Sequence, residues 1–307
     1  MSTILRSLRP MWAAALLALA GAAQAADPGV FDDRLVIGGV LPQTGPPSLI
    51  GKAGVIALRV WEKDVNARGG IHGRKIDLRV EEDGYVPQRS VQAIKKLVDV
   101  DKVFAVIGTS GSSHLMAMMP TIEESQIPAI NFAAVAGTHF NPPRKTVFNI
   151  GATYCQEITG VMKHLIATRK LQKAKFALIY QDDDFGADVK CGYDAALKSA
   201  GLSSAIDVPY KRAQKDFSAE VLAVQKSGAT FVLVGGIISE TATMLKEIQK
   251  NGMDVIRLAA HPSHLGAVLQ LAGSAAEGLL VADYVPPITD TETQGIGRLN
   301  ALAYKYL

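Results

Sequence analysis

Val103-Phe104-Ala105-Val106-Ile107-Gly108-Thr109-Ser110-Gly111-Ser112-Ser113 joins an apolar, β-branched run to a Gly/Ser loop, and a helix-like segment from His114 to Glu124 follows at once. In an open parallel sheet, ligands sit in the crevice beyond the carboxyl ends of the strands. Backbone N–H groups at the N-terminus of the next helix, together with serine hydroxyls, suit a carboxylate or a phosphate. The plainer reading is that Ser112 or Ser113 only caps the helix, which serine does well. What gives the stretch weight is that its pattern recurs along the whole chain.

Strand-like apolar runs cover Leu35–Val40, Ile76–Val80, Val103–Ile107, Ala129–Phe132, Phe176–Tyr180, Ile206–Pro209, Phe231–Val234, Val255–Ala259 and Leu279–Val281. Amphipathic segments lie between them, among them Ala53–Val65, Ser90–Val100, Ile158–Thr168, Ala187–Ser199, Ser218–Lys226 and Glu240–Asn251. In Ser90–Val100 the apolar residues Val91, Ile94, Leu97 and Val98 fall on one helix face. Continuous rather than alternating apolar strands imply burial on both sheet faces, hence parallel sheets covered by helices. The expected fold class is α/β, with two Rossmann-like, doubly wound lobes. Boundaries near Phe148-Asn149-Ile150-Gly151 and Val281-Ala282-Asp283-Tyr284 place residues 151–282 as a second lobe inserted into a first lobe of 34–150 plus 283–307.

Residues 1–25 read as a secretory signal peptide. Arg6 and Arg9 precede the apolar run Met11–Ala20, and Ala23-Gln24-Ala25 supplies a small-x-small cleavage signature. The run is too short for a membrane span, so an exported, periplasmic chain without membrane insertion is expected. Taking Arg6 and Arg9 from the 32 basic residues leaves 30 against 29 acidic, a charge near +1 that gives no reason to expect a nucleic-acid partner. The hydrophobic fraction of 48% supports large buried sheets. Two cysteines, Cys155 and Cys191, could form one disulfide in an exported protein, but each falls on its own helix and the spacing leaves their pairing open.

Several catalytic and cofactor motifs fail on inspection. Gly45-Pro46-Pro47-Ser48-Leu49-Ile50-Gly51-Lys52-Ala53 has one residue too many for a phosphate loop, two prolines without N–H donors, and alanine where a hydroxyl belongs. Gly108-Thr109-Ser110-Gly111 has a glycine one position early for a nucleophile elbow. Asp182-Asp183-Asp184 lacks the spaced oxygens of a calcium loop and suits a helix N-cap. His261 and His264 have no companion carboxylate or cysteine at zinc spacing. No cofactor or metal is expected, and no catalytic residue is assigned; a secreted hydrolase would need a nucleophile and base that no motif supplies.

The chain resembles the type I periplasmic binding proteins, in particular the leucine/isoleucine/valine branch of ABC-transporter receptors. The motifs that carry the likeness are Gly69-Gly70-Ile71-His72-Gly73-Arg74-Lys75-Ile76, Glu82-Asp83 before Pro87, and Val106-Ile107-Gly108 running into Ser112-Ser113. In the second half they are Ala177-Leu178-Ile179-Tyr180, Asp183-Asp184-Phe185-Gly186, Asp216-Phe217-Ser218 and Ala275-Ala276-Glu277-Gly278-Leu279. The resemblance spans residues 34–307 and implies two lobes joined by hinge strands, closing on a small ligand and then docking on an inner-membrane ABC permease. It also implies further lobe elements beyond Leu307, where the sequence stops inside a helix-like segment.

The resemblance further implies a site. Ser112 and Ser113, with the Ala133-Ala134-Val135 loop, would hold a ligand carboxylate from the first lobe, and Ile50 would cover it. Tyr154, Phe185, Ile238, Glu240 and His261 would face it from the second. His261 stands where amino-acid-binding relatives carry the acid that neutralises the ligand ammonium, and Cys155 stands at another commonly acidic position. A buried ammonium without an anionic partner costs on the order of several kcal/mol. The expected ligand is therefore a small organic acid with an apolar body rather than an ordinary α-amino acid. Two alternatives stay open: a rearranged amino-acid site, and a sensor on the same fold that signals to a partner.

Overall fold

The computed structural model describes residues 27–264, 266–286, 289–290 and 293–306. The proposed signal peptide therefore lies outside the described residues. The first half runs β1 (Arg34–Val40), α1 (Ser48–Ala67), β2 (Lys75–Glu81), α2 (Pro87–Asp99), β3 (Ala105–Thr109), α3 (Ser112–Ser125), β4 (Ala129–Asn131) and β5 (Val147–Asn149). The second runs α4 (Tyr154–Thr168), β6 (Phe176–Gln181), α5 (Asp184–Ser199), β7 (Ser204–Tyr210), α6 (Ser218–Ser227), β8 (Phe231–Gly235), α7 (Ile238–Lys250), β9 (Ile256–Ala259), α8 (Gly266–Ala272) and β10 (Leu280–Val281). A last helix, α9 (Gln294–Tyr306), follows.

Two five-stranded parallel sheets result, ordered β2-β1-β3-β4-β5 and β10-β9-β8-β6-β7. Alternation along each strand feeds a core on both faces. In β6, Phe176 and Leu178 enter one cluster while Ala177 and Ile179 enter the other. In β8, Phe231 and Leu233 join the first cluster, and Val232 and Val234 the second. The first sheet divides likewise, with Val36 and Val106 on one side and Ile37 and Ala105 on the other. This is the two-sided burial that continuous apolar strands require.

The chain passes from the first sheet to the second between Asn149 and Tyr154, and leaves the second after Val281. It then returns to the first half, where α9 packs on α1 and the Tyr306 carbonyl accepts from Lys63 Nζ at 3.2 Å. Helix ends depart most from expectation. α1 starts at Ser48, five positions before the predicted Ala53, because Pro47 takes the N-cap position and needs no N–H there. α4 starts at Tyr154 rather than Ile158, fixed by a capping box in which Thr153 Oγ1 accepts from Gln156 N and the Gln156 side chain accepts from Thr153 N. Cys155 on α4 and Cys191 on α5 are joined in a disulfide with Cα atoms 5.2 Å apart, which settles the pairing left open by their spacing.

Candidate ligand-binding site

At the carboxyl end of β3 the backbone turns through Gly111, whose φ of +97° is hostile to any L side chain. A Cβ there would lie 2.3 Å from His114 Nδ1 and 2.9 Å from the Tyr85 ring. Gly111 is the N-cap of α3 and no side chain caps the helix. Ser112 is therefore the first helical residue and not a cap. Its hydroxyl is buried and makes no well-formed hydrogen bond, the Tyr154 hydroxyl acting on it only weakly. The main chain of Gly111 is spoken for: its N–H reaches the Ala133 carbonyl, and its own carbonyl accepts from His114 and Leu115. The first N–H groups of a helix have no intrahelical acceptor, so Ser112 and Ser113 offer two donors beside the buried hydroxyl.

This corner opens into a narrow pocket of about 20 Å³ between the two sheets, lined by Pro47, Ile50, Tyr85, Ser110, Gly111, Ser112 and Ala133 from the first half and by Tyr154, Phe185, Ile237 and Pro262 from the second. A neighbouring, roomier cavity of about 330 Å³ extends it past Ala53, Gly54, Ala57 and Phe132 to His261. The walls are apolar apart from the serine corner and a few polar tips. Tyr154 meets Phe185 edge-on at 4.8 Å between centroids, and burial raises its hydroxyl pKa well above the ordinary tyrosine range.

His261 opens the turn after β9. Its ring stacks on Tyr154 at 4.8 Å with a 9° interplanar angle, and Tyr284 packs against it edge-on at 5.1 Å. Behind it lies Glu157 of α4, whose side chain is 2% exposed. Glu157 Oε2 is 2.6 Å from His261 Nδ1, and Oε1 accepts the His261 backbone N–H at 3.2 Å. With a carboxylate on Nδ1, the proton sits there and Nε2 is the atom left for a ligand.

Of the residues expected at the site, Ile50, Ser112, Ala133, Tyr154 and Phe185 line the cleft, and His261 lines its extension. Ser113 is half-buried on the same helix turn. The others are not at the wall. Ala134 and Val135 are fully buried in two different clusters, and the Ala134 carbonyl faces His139 Nδ1 at 3.3 Å. Ile238 is a core residue, and its neighbour Ile237 takes the wall position. Glu240 is buried beside a different cavity, at Gly45, Lys215 and Thr243, with its pKa raised by burial. Tyr85, Pro47 and Pro262 are wall residues that the sequence reading did not single out.

Tyr85 is held on the β2–α2 loop in the left-handed region, φ +60°. Asp83 fixes that loop, accepting Tyr85 N–H at 3.0 Å and the Ser90 hydroxyl at 2.6 Å. Beside it, Glu82 Oε1 accepts the backbone N–H groups of Gln43, Thr44 and Gly84, plus the Thr44 hydroxyl. Burial works against the Glu82 anion, but these donors outweigh it and hold its pKa below the ordinary carboxylate value. Among the described residues one cluster has the donors for a metal, Cys155, Asp188 and Cys191, and its two sulfurs are the disulfide. No described helix is long and apolar enough to cross a membrane.

A family model described as "Periplasmic binding protein" matches residues 35–302. The chain belongs to the periplasmic binding protein family. It is 28% identical over 244 residues to Leu/Ile/Val-binding protein homolog 7 of Brucella suis, covering 77% of this chain and 61% of that protein. It is 26% identical over 259 residues to the leucine-specific-binding protein of Salmonella typhimurium, covering 84% and 69%. These relatives place this periplasmic binding protein in the leucine/isoleucine/valine branch, with the matched part spanning about 61% of the length of the Brucella relative. Among solved structures, the fatty acid ABC transporter substrate-binding protein from Thermomonospora curvata superposes with a TM-score of 0.83 at 24% identity, covering 91% of this chain and 71% of that one. A solute-binding protein from R. palustris in complex with 4-hydroxybenzoate superposes at 0.76 and 18%, covering 89% and 73%. At these identities the superpositions establish the fold: the two-lobe, type I architecture.

Proposed function

We propose that this protein is the periplasmic receptor of an ABC importer and that it captures a small organic acid with an apolar body. The ligand carboxylate sits on Ser112 Oγ and the first N–H groups of α3, and its body lies against Tyr154, Phe185 and Ile237. The closed receptor then docks on a membrane permease. One observation carries the reading: a buried serine hydroxyl without a well-formed hydrogen bond, at the positive end of a helix, facing a wall that is mostly aromatic and aliphatic. A buried polar group left unsatisfied is costly, and an anion supplies the missing partner. Two fold neighbours, a fatty acid ABC transporter substrate-binding protein and a solute-binding protein in complex with 4-hydroxybenzoate, take ligands of the same chemical class.

A second reading, an amino-acid receptor with a rearranged site, draws on Glu157. Glu157 lies behind His261, 2.6 Å from Nδ1, and places an acid at the part of the cleft where a ligand ammonium would need one. Calorimetry on the purified chain separates the two, with hydroxybenzoates, aliphatic monocarboxylates, leucine, isoleucine and valine as titrants. Binding of an acid that lacks an ammonium, weakened in Ser112→Ala, is the expected result. Binding of leucine or valine with no response to the simple acids overturns the proposal.

A further inference from the structure

At the edge of the cleft, behind the Tyr85 wall, a second set of contacts ties the two lobes together. Arg212, in the loop after β7, donates to Asp183 Oδ2 at 2.6 Å. Its guanidinium carbon lies 5.0 Å from the centroid of Tyr85, a residue of the other lobe. Its second terminal nitrogen reaches His114 Nε2, also in the other lobe, at 3.4 Å. His114 is 1% exposed and stacks on the Tyr85 ring at 4.3 Å. Because the guanidinium can only donate, Nε2 must be the acceptor, so this contact exists only for a neutral imidazole.

We propose that Arg212 and His114 form a proton-sensitive latch between the lobes, with Arg212 acting as a positioning residue that favours closure only while His114 is uncharged. Protonation at Nε2 removes the acceptor and sets an imidazolium against a guanidinium in a buried contact. Asp183 cannot serve both cations. Its Oδ2 is occupied by Arg212 and the Gln181 amide, and its Oδ1 by the backbone N–H groups of Phe185 and Gly186. The same Asp183 thereby anchors Phe185, a wall of the cleft, and Tyr85 is a wall itself. The latch and the ligand pocket share the Tyr85 side chain and are linked again through the Phe185 backbone, so closing one shapes the other.

The two largest influences on His114 act in the same direction. Burial, then the Arg212 charge, lower its pKa from 6.5 to about 4, while the Tyr85 backbone and Asp183 oppose them more weakly. In the open form His114 loses Arg212 and gains water, and returns toward 6.5. The closing advantage is then complete above pH 6.5 and lost as the pH falls toward 4. At pH 5 the linkage amounts to a drop of at most about 30-fold in the closed-to-open ratio relative to pH 8, less the share of burial that its own lobe maintains.

The test needs no ligand and stands whether or not the acid proposed above is correct. Nitroxide labels on Lys95→Cys (α2) and Lys198→Cys (α5), both exposed positions, report the interlobe distance by double electron–electron resonance. The labelled parent is expected to shift from the short to the long distance by up to about 30-fold in ratio between pH 8 and pH 5. His114→Gln should be flat across that range, and Arg212→Met should favour the long distance at both ends. Arg212→Lys, which keeps the charge and loses the planar stack, provides a second variant if Arg212→Met does not fold, and should fall between. Identical distributions at pH 8 and pH 5 in the parent overturn the latch, and so does a His114→Gln protein that keeps the pH response.

Discussion

His261 and Glu157, 104 residues apart, meet in a bidentate contact: Nδ1 on Oε2 at 2.6 Å and the backbone N–H on Oε1 at 3.2 Å. One carboxylate thus fixes both the ring and the main chain of the turn that walls the cleft. Removing it should leave two buried donors without acceptors. Glu157→Ala is expected to cost about 2–4 kcal/mol in urea unfolding, and Glu157→Gln, which can still accept one of the two bonds, clearly less.

Ser112 should behave in the opposite way. Its hydroxyl makes no well-formed hydrogen bond inside the protein, so Ser112→Ala should leave the urea midpoint nearly unchanged. The loss should appear in binding: a charge-assisted hydrogen bond of about 1.5–3 kcal/mol weakens carboxylate affinity by about 10- to 100-fold in calorimetry.

Gly111 tolerates no side chain. Its φ of +97° and the 2.3 Å that would separate a Cβ from His114 Nδ1 act together. Gly111→Ala should destabilise by about 2 kcal/mol or more, and the loss should show as a lower Tm.

Glu82 makes one part of the fold acid-labile. Its four donors hold its pKa below the ordinary value. It therefore contributes stability that is present above the ordinary carboxylate pKa and lost as the pH falls through the lowered one. Urea midpoints of the wild type and Glu82→Gln should differ at pH 7 and converge in acid.

The Cys155–Cys191 bridge closes a separation of 36 residues. Reduction, or the double Ser variant, should cost about 3–4 kcal/mol by loop entropy, with far-UV circular dichroism unchanged under native conditions.

The layered α/β plan was legible because buried parallel strands write themselves as unbroken apolar runs such as Phe176–Gln181 and Phe231–Gly235. The serine corner was legible for the same reason: a strand, a glycine turn and a helix are contiguous. What escaped was non-local. Nothing near Tyr85 announces that a lobe-two arginine will lie over its ring, and nothing near Glu157 announces His261. Of the loop that the resemblance implies, half-buried Ala133 lines the cleft, while the chain turns Ala134 and Val135 into the core. Where Cys155 and Cys191 stand relative to one another depends on how α4 packs on α5, which spacing alone does not specify.

The chain enters the second sheet once and leaves it once, so that lobe is held to the first at both ends. Its docking is then an intramolecular event, governed by an effective concentration in the millimolar range or above rather than by encounter in solution. Under that condition a single guanidinium contact, far too weak to join two free proteins, is enough to tip the balance, and one proton is enough to tip it back.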